Sequence, residues 1–406
     1  MENKGLLKQL KKNLIHANNS QLYKEKFKNL NLDLSSISDF KKIPFTTKDE
    51  LRKYYPFGNL AVEIKEVIEM HTSSGTTGGD PQVTFLTKKD LEIASKSISH
   101  AWKTFGITSK SVVQFIMSYG LFSGAMLNTF AIQNLGALVI PAGIIPTKQQ
   151  VYLIQKFNVD TIVATPSYYL YLYEFLKNNL IPISSLNLKR GIAAGEIYSE
   201  GLRKEIEKKF NITIYDHYGL CEVYTGIAYE CNKRNGLHVL GGYVFAEIID
   251  PDTGEDVKEG EIGELILTTL KKDASPLIRY KTGDMVKKIP AVCSCGDNNP
   301  LISRILKRKD ATIFIKGIKL DPYEAKINLN NVLKEKFYDD MQFVIPKNLS
   351  LDYPKIYLAP KKKNIDLSEV RKIIKSETNL NFEIKIVHID YFRKSGETKI
   401  KLVKYI

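Results

Sequence analysis

Cysteine is scarce in this chain, with 4 residues in 406. That number excludes a disulfide-based scaffold, because disulfide-dense domains are short and carry far more cysteine for their length. Long apolar runs are missing as well, since the most apolar stretch, 125–146, is broken by Asn128, Gln133 and Asn134. A membrane-spanning helix needs roughly 20 apolar residues, so we expect no membrane partner. The first residues lack the apolar segment of a signal peptide, and we expect a cytoplasmic protein.

Acidic residues are outnumbered by basic ones, 45 against 59, which gives a net charge of +14. Such a charge is typical of nucleic-acid-binding proteins. No helix-turn-helix, zinc-finger or aromatic-basic ribonucleoprotein pattern accompanies it, and we expect no nucleic-acid partner. Residues 355–406 hold 13 basic and 6 acidic residues, or half of the excess. A basic C-terminal region suits a phosphate-bearing or acidic partner.

The segment pattern predicts an α/β fold. Short β-branched runs alternate with helix-like runs between residues 112 and 215, which indicates a parallel sheet with helices on both faces. After residue 238 the pattern becomes that of antiparallel strands, and from about residue 310 a smaller α+β unit follows. We therefore expect a large N-terminal domain, 1–308, with parallel α/β sheets and a β-rich piece. The second domain, 309–406, is expected to be a small, mobile α+β domain.

A stretch of small residues, 72–81, reads Thr-Ser-Ser-Gly-Thr-Thr-Gly-Gly-Asp-Pro. Small residues let backbone N–H groups converge on an anion, and hydroxyl groups add further donors. The same composition is typical of a flexible linker, and the pattern is not G-x-x-x-x-G-K-[ST]. By itself the stretch leaves a phosphate loop and a linker both open.

Three predicted turns carry further candidate residues, and two of them follow predicted strands. The stretch 215–222 follows a predicted strand and so belongs at the carboxyl end of the sheet, where open α/β folds bind ligands. An aromatic ring there can stack on a base, and a carboxylate can hold a metal that bridges phosphates. Gly195-Glu196 is a similar turn, and Asp284 offers two acceptors to a vicinal diol such as ribose. Each of these patterns alone is also typical of an ordinary turn.

Taken together, these stretches resemble the motifs of adenylate-forming enzymes, in the same order along the chain. The resemblance is closest to the phenylacetate–CoA ligase family and covers almost the whole sequence. It rests on 73–78, 218–222, 279–284 and the Lys-rich C-terminal tail, and on 44–51, 55–58, 119–124, 164–168 and 236–239.

The resemblance implies an AMP-forming acid–thiol ligase that uses ATP and Mg²⁺. A carboxylic acid would become an acyl-adenylate, and CoA would then take the acyl group as a thioester. One alternative acceptor is the phosphopantetheine thiol of an acyl carrier protein, which the basic C-terminal region would suit. Another alternative is a nucleotide-binding relative without ligase activity. Whether the chain forms a homodimer stays open.

The resemblance also implies roles for individual residues. The catalytic residues would be Lys399 of the mobile domain, Glu222 and Thr76. Glu222 would also bind Mg²⁺, and Asp310 would be the hinge. Arg308 helps Asp284 to hold the ribose. The phosphate-loop residues would contact the ATP phosphates, with Thr76 and Thr77 as hydroxyl donors: Ser73, Ser74, Gly75, Thr76, Thr77 and Gly78. The residues around the adenine would be Gly195, Glu196, Tyr218 and Gly219, with the Tyr218 ring stacking on the base.

The sequence departs from the family pattern in a few places. Gly79-Asp80 stands where the family's lysine follows Thr-Thr-Gly, and Cys221 stands where Thr or Ser is common. Near the hinge, Lys307 replaces a glycine and Ala311 replaces a second aspartate. These departures keep the non-catalytic alternative open. We still expect activity, because the phosphate loop, Glu222, Asp284 and Lys399 are present.

The acid pocket is expected between the strand ends and the helix that opens near residue 122. Apolar and aromatic residues there suit an aromatic or arylalkanoic acid, although an aromatic-lined turn is also typical of ordinary core. The expected pocket residues are Tyr119, Gly120, Phe122, Ala193 and Ala194.

The cysteines support a separate hypothesis. Cys231-x₆-His238 and Cys293-x-Cys295 supply three thiolates and one imidazole, a set suited to tetrahedral structural zinc. Some members of the resembled family carry Cys and His in these places. The spacings are not C-x₂-C, so cysteines that are merely packed remain an alternative. Four protein ligands leave no open position for catalysis, and the zinc would clip residues 231–295 together.

Overall fold

The architecture comes from a computed structural model. It describes residues 4–72, 82–121, 123–290, 293–309, 313–315, 318–320, 322–346, 353–362, 364–393 and 402–405. Over these residues, no helix combines the length and the apolar character needed to cross a membrane.

The described part of the chain contains eleven α-helices and twenty strands, with short 3₁₀ helices at Ile64–Glu66, Ile183–Ser185 and Ile389–Arg393. The helices are α1 (Lys4–Ala17), α2 (Gln21–Phe27), α3 (Ile37–Phe40), α4 (Lys48–Lys53), α5 (Lys88–Thr104), α6 (Ser123–Gln133), α7 (Thr147–Lys156), α8 (Pro166–Asn178), α9 (Glu200–Phe210), α10 (Pro322–Leu333) and α11 (Leu367–Thr378). The strands are β1 (Val67–Thr72), β2 (Val83–Thr87), β3 (Val112–Phe115), β4 (Leu138–Ile140), β5 (Thr161–Ala164), β6 (Arg190–Ala194), β7 (Thr213–Leu220), β8 (Tyr224–Glu230), β9 (Leu237–Val239), β10 (Val244–Ile249), β11 (Ile262–Thr269), β12 (Tyr280–Lys287), β13 (Leu301–Ile302), β14 (Lys307–Arg308), β15 (Ile313–Ile315), β16 (Ile318–Leu320), β17 (Phe337–Ile345), β18 (Lys355–Pro360), β19 (Glu383–Ile386) and β20 (Val403–Tyr405).

Side-chain caps set the starts of several helices. Thr47 caps α4 and Thr87 caps α5, and each accepts from a backbone N–H three residues on. In both cases the acidic residue at that third position bonds back to the cap, which completes a capping box. The cap of α5 places this helix directly after β2, so its start is tied to the strand that follows residues 73–81.

The central sheet has eight strands in the order β13-β9-β8-β7-β6-β5-β3-β4. The strands from β4 to β7 are parallel, and β8, β9 and β13 continue the sheet in antiparallel pairs. One apolar cluster, which includes Trp102, packs α5 and α6 on one face of the sheet. A second cluster, which includes Tyr169, packs α7, α8 and α9 on the other. The prediction of a parallel sheet covered on both faces is confirmed.

The hairpin of β7 and β8 differs from the expectation for residues 215–222. We expected a strand that ends near Tyr215, but β7 runs on to Leu220. Its last residues continue as a strand because β8 turns back along them, with Leu220 opposite Tyr224, while β6 pairs only as far as His217. Tyr218 therefore lies on a hairpin that projects past the carboxyl end of the parallel strands.

The β-rich piece is an antiparallel sheet in the order β10-β11-β12-β14. Its short last strand pairs Arg308 directly with Asp284 of β12. The C-terminal part of the chain holds the hairpin of β15 and β16 and a sheet in the order β19-β18-β17-β20. Helices α10 and α11 pack on an apolar core of their own there. The predicted α/β class with an α+β C-terminal part is confirmed, and the boundary at residue 308 stays a prediction.

Candidate functional site

Two strand ends meet at the carboxyl edge of the central sheet. Gly195 follows β6 with a φ of +82°, a conformation that glycine adopts readily and other residues rarely. The carboxylate of Glu196 then accepts from the Ser167 N–H at 3.1 Å and from its Oγ at 2.8 Å. Burial raises the pKa of Glu196, and the charge of Lys326 on α10 acts in the opposite direction. The Gly195-Glu196 turn is thus anchored to the start of α8.

Tyr218, Asp284 and Arg308 form the central cluster of this edge, which we call the Asp284 cluster. The Tyr218 hydroxyl donates to Asp284 Oδ2 at 2.6 Å, and Arg308 Nη1 donates to Oδ1 at 2.9 Å. Asp284 is only 3% exposed. Burial and the neighbouring carboxylate raise the pKa of Tyr218 well above its usual value, so the hydroxyl stays a donor. These bonds fix the plane of a carboxylate that can also accept from a diol.

The turn between β7 and β8 positions Glu222. A Cβ on Gly219 would lie 2.3 Å from the backbone nitrogen of Gly226, so only glycine lets the two strands approach this closely. The register shifts between Tyr218 and Leu220, and the hairpin then closes with Glu222 in its turn at 8% exposure. A carboxylate oxygen is the kind of ligand that Mg²⁺ prefers, which fits the predicted role.

The predicted acid-pocket residues that the structure describes lie in two places, the turn at Tyr119-Gly120 and the end of β6. The Tyr119 hydroxyl lies 2.7 Å from Thr129 Oγ1, and Gly120 has a φ of +117° with open space around it. Ala193 is fully buried among the side chains packed under α8 and α9, whereas Ala194 is half-buried at the end of β6. Their contact with an acid stays a prediction.

The four predicted zinc ligands, which we call the Cys/His cluster, come together in space. The ligand atoms of Cys231, His238, Cys293 and Cys295 all lie within 4.8 Å of one another. The sulfurs of Cys231 and Cys293 are 3.6 Å apart, and the Cys295 sulfur is 3.4 Å from His238 Nε2. Tetrahedral zinc with bonds near 2.3 Å to sulfur would separate two sulfurs by about 3.8 Å.

The surroundings of this cluster also suit a cation. His238 Nδ1 lies 3.1 Å from the backbone oxygen of Asn299, so it donates there and leaves Nε2 to face the sulfurs. The N–H groups of Lys233 and Asp297 point at the sulfurs of Cys231 and Cys295, each at 3.4 Å. The donor set and its geometry therefore fit structural zinc.

Comparison with known proteins identifies the family. The model of the AMP-binding enzyme family matches residues 11–269. Phenylacetate–coenzyme A ligase from Pseudomonas putida is 34% identical over 361 residues, which cover 87% of this chain and 80% of that protein. The corresponding Escherichia coli (strain K12) ligase is 32% identical over 395 residues, or 93% of this chain and 89% of that protein. The chain belongs to the phenylacetate–coenzyme A ligase family of AMP-binding enzymes.

A solved structure shows the same fold as this family member. A 2-hydroxyisobutyryl-CoA ligase in the postadenylation state, in complex with 2-HIB-AMP, superposes with a TM-score of 0.87 at 20% identity. The match covers 100% of this chain and 89% of the ligase. At that identity the likeness concerns the fold alone.

Several predicted residues of the family site lie outside the described part of the chain. They are the phosphate-loop residues, the catalytic lysine, the hinge and one pocket residue: Ser73, Ser74, Gly75, Thr76, Thr77, Gly78, Lys399, Asp310 and Phe122. Their roles stay predictions.

Sequence reasoning missed three residues that support the site. Ser167, which anchors Glu196, lies in a stretch that resembled the family but had no role assigned. Asn299, which orients His238, follows the cysteines in an irregular segment with no motif. Lys272 looks like half of a solvated Lys-Lys pair, yet it is 1% exposed and donates to the backbone of Glu222. No pattern in the sequence distinguishes it from exposed Lys271.

Proposed function

We propose that the protein is an ATP-dependent, AMP-forming acid–CoA ligase. The observation that carries the proposal is family membership over nearly the whole chain, with curated relatives named as phenylacetate–coenzyme A ligases. The Asp284 cluster at the carboxyl edge of the sheet supports a nucleotide site at the position where open α/β folds bind ligands.

The reaction proceeds in two steps, and in each step one bond forms as another breaks. A carboxylate oxygen attacks the α-phosphorus of ATP, the bond to the bridging oxygen breaks, and pyrophosphate leaves with acyl-adenylate as the product. A thiolate then attacks the acyl carbon, and AMP leaves as the thioester forms. The first step brings negative charges together, so donors must be aimed at the phosphates before the reaction begins.

The described residues would bind and orient the nucleotide. Asp284, fixed by Tyr218 and Arg308, would accept the ribose hydroxyls, and the Tyr218 ring would stack on the adenine. The turn at Glu196 would line the purine edge. Glu222 would hold Mg²⁺, which when bound would neutralise phosphate charge.

Lys399 is proposed as the cation that acts on the phosphates in the first step alone. Removing one such donor typically costs about 3 kcal/mol, or roughly a hundredfold in rate. Lys399→Ala should therefore reduce adenylation about a hundredfold but leave thioester formation from supplied acyl-adenylate largely intact, if the C-terminal domain rotates between the two steps. Equal losses in both half-reactions would contradict domain rotation.

Acid-dependent exchange of pyrophosphate into ATP, screened over a panel of acids, tests the function directly. We expect exchange with aromatic or arylalkanoic acids, because the expected pocket is apolar and aromatic. Absence of exchange with every acid would favour a nucleotide-binding relative without ligase activity. For an acid that exchanges, CoA and a phosphopantetheinylated carrier protein are then supplied separately, and the one that accepts the acyl group identifies the acceptor.

The Cys/His cluster is proposed to hold one structural zinc ion. Its residues lie just after β8, on β9 and in the segment before β13, three neighbouring parts of the antiparallel end of the central sheet. Since four protein ligands fill a tetrahedral shell, the metal would stabilise this end and take no part in the reaction.

A further inference from the structure

Lys272 lies in the loop between β11 and β12 with its ammonium group inside the protein. It is 1% exposed and is the one buried lysine among the residues that the structure describes. Nζ donates to Thr84 Oγ1 at 2.5 Å, to the Glu222 carbonyl at 2.7 Å and to the Val223 carbonyl at 2.9 Å. An ammonium has three N–H donors, so these acceptors satisfy all of them.

The surroundings make this a costly place for a charge. No carboxylate forms an ion pair with Lys272 within the described ranges, although Asp90, Cys221 and Glu222 lie close enough to favour its charged form. The Tyr224 ring centroid is 5.1 Å from Nζ. Burial lowers the pKa of Lys272 to about 8. An apolar side chain of similar length would avoid this desolvation cost but would leave the Glu222 and Val223 carbonyls without the Nζ donor, so the lysine is what holds these carbonyls and Thr84 together.

The three acceptors connect two parts of the proposed nucleotide site. Thr84 is on β2, which pairs with β1 in a two-stranded sheet that brackets residues 73–81. Glu222 and Val223 form the turn after β7. Residues 73–81 contain no Lys or Arg. Lys272 is thus a cation that connects two elements. One is β2, the strand that follows the predicted phosphate loop, and the other is the turn that carries Glu222.

We propose that Lys272 is a positioning residue that holds the Glu222 turn and the β1–β2 sheet at the spacing which MgATP requires. The proposal rests on the proposed function, because it assigns Glu222 to the metal. Lys272 acts through the backbone of Glu222 and through Thr84, without touching the nucleotide. Groups that orient a metal ligand from behind typically contribute 10- to 100-fold to metal affinity or activity.

Lys272→Met tests the proposal, because methionine keeps most of the length and loses the charge. Lys271→Met is the matched control, since Lys271 is the exposed neighbour on the same loop. We expect Lys272→Met to lower the kcat of pyrophosphate exchange about a hundredfold and the apparent affinity for Mg²⁺ about tenfold. Thioester formation from supplied acyl-adenylate should stay within about twofold of wild type. Lys271→Met should change neither.

A merely structural lysine would give a different result. Both half-reactions would fall together with the folded fraction, and the Mg²⁺ dependence would stay that of wild type. Either that outcome or an unchanged exchange rate in Lys272→Met would overturn the proposal.

Thr84→Val keeps the proposal testable if Lys272→Met does not fold. It removes one acceptor, so exchange should fall about tenfold with the folded fraction unchanged. Where Lys272→Met does fold, the Thr84→Val effect should disappear in a double-mutant cycle once Lys272 is replaced, because both substitutions break one contact. Unchanged exchange in Thr84→Val, or full additivity in the cycle, would contradict the connection.

Nucleotide binding separates failure of this inference from failure of the proposed function. If wild type exchanges pyrophosphate with no acid, calorimetric titration with ATP at several Mg²⁺ concentrations still measures the Mg²⁺ dependence of binding. We expect Lys272→Met, but not Lys271→Met, to weaken that dependence about tenfold. A wild-type protein that fails to bind MgATP would overturn both ideas, and equal dependence in all three proteins would overturn this one alone.

Discussion

The Asp284 cluster and the Cys/His cluster are both assembled from distant parts of the chain, but their polar atoms are satisfied in different ways. Both Asp284 oxygens already accept from side chains, at 2.6 Å from Tyr218 and 2.9 Å from Arg308. In the Cys/His cluster the thiols face one another and an imidazole nitrogen, at 3.4–3.6 Å. In the Asp284 cluster the charge of the carboxylate is compensated by the side chains that donate to it. In the Cys/His cluster the thiols repel one another once they ionise.

This difference distinguishes a carboxylate that its own donors hold in place from a set of thiols and an imidazole that would need a cation to hold them together. The Asp284 cluster keeps its geometry through charge-assisted hydrogen bonds, so a nucleotide would meet an aligned carboxylate. Thiolates at such short distances repel one another, and a cation among them relieves the repulsion. Without a nucleotide the protein should stay folded, whereas removal of the proposed zinc should loosen the end of the sheet.

The largest expected effect comes from replacing two of the proposed zinc ligands together. Cys293→Ser with Cys295→Ser should reduce bound zinc from one per chain to none and lower the thermal midpoint by more than about 10 °C, because binding energies of structural zinc are on the order of 10 kcal/mol. Elemental analysis and thermal unfolding measure both. Cys221 is the cysteine outside the Cys/His cluster, so Cys221→Ser should keep the metal and serves as the control. A metal-free wild-type protein of full stability would refute the zinc site.

Asp284→Asn should break the other cluster and leave the zinc in place. Loss of the charge weakens the contacts to Tyr218, Arg308 and the ribose, so pyrophosphate exchange should fall about a hundredfold. Asp252→Asn, an exposed carboxylate in the turn after β10, serves as the control. Zinc content that fell along with exchange would show that the two clusters are coupled rather than independent.

Tyr218→Phe should have the smallest effect of the three. The ring remains for adenine stacking, and only the hydrogen bond to a charged group is lost, worth about 1.5 kcal/mol or roughly tenfold. The loss should appear mainly as a higher KM for ATP in the exchange assay. An effect as large as that of Asp284→Asn would mean that the hydroxyl itself contacts the reacting groups.

Local patterns predicted much of the fold. Alternating β-branched and helical runs predicted the parallel sheet and its two helical layers, because each run must bury one face or both. The extension of β7 to Leu220 was not predicted. These residues form a strand because β8 pairs with them, and no local sequence pattern indicates such pairing. Ser167 and Lys272 were missed for a related reason, because their roles are set by residues far away in the chain.

Residue types and spacing by themselves determined the α/β class, the resemblance that carries the family, and the identity of the four candidate zinc ligands. These depend on side-chain chemistry and on the short-range periods of strands and helices. Only the tertiary structure decided that Arg308 faces Asp284, that four ligand atoms lie within 4.8 Å, and that Lys272 is buried behind Glu222. Such contacts join residues up to 188 positions apart, as for Lys272 and Thr84. Long-range packing creates these contacts, and no local pattern in the sequence predicts them.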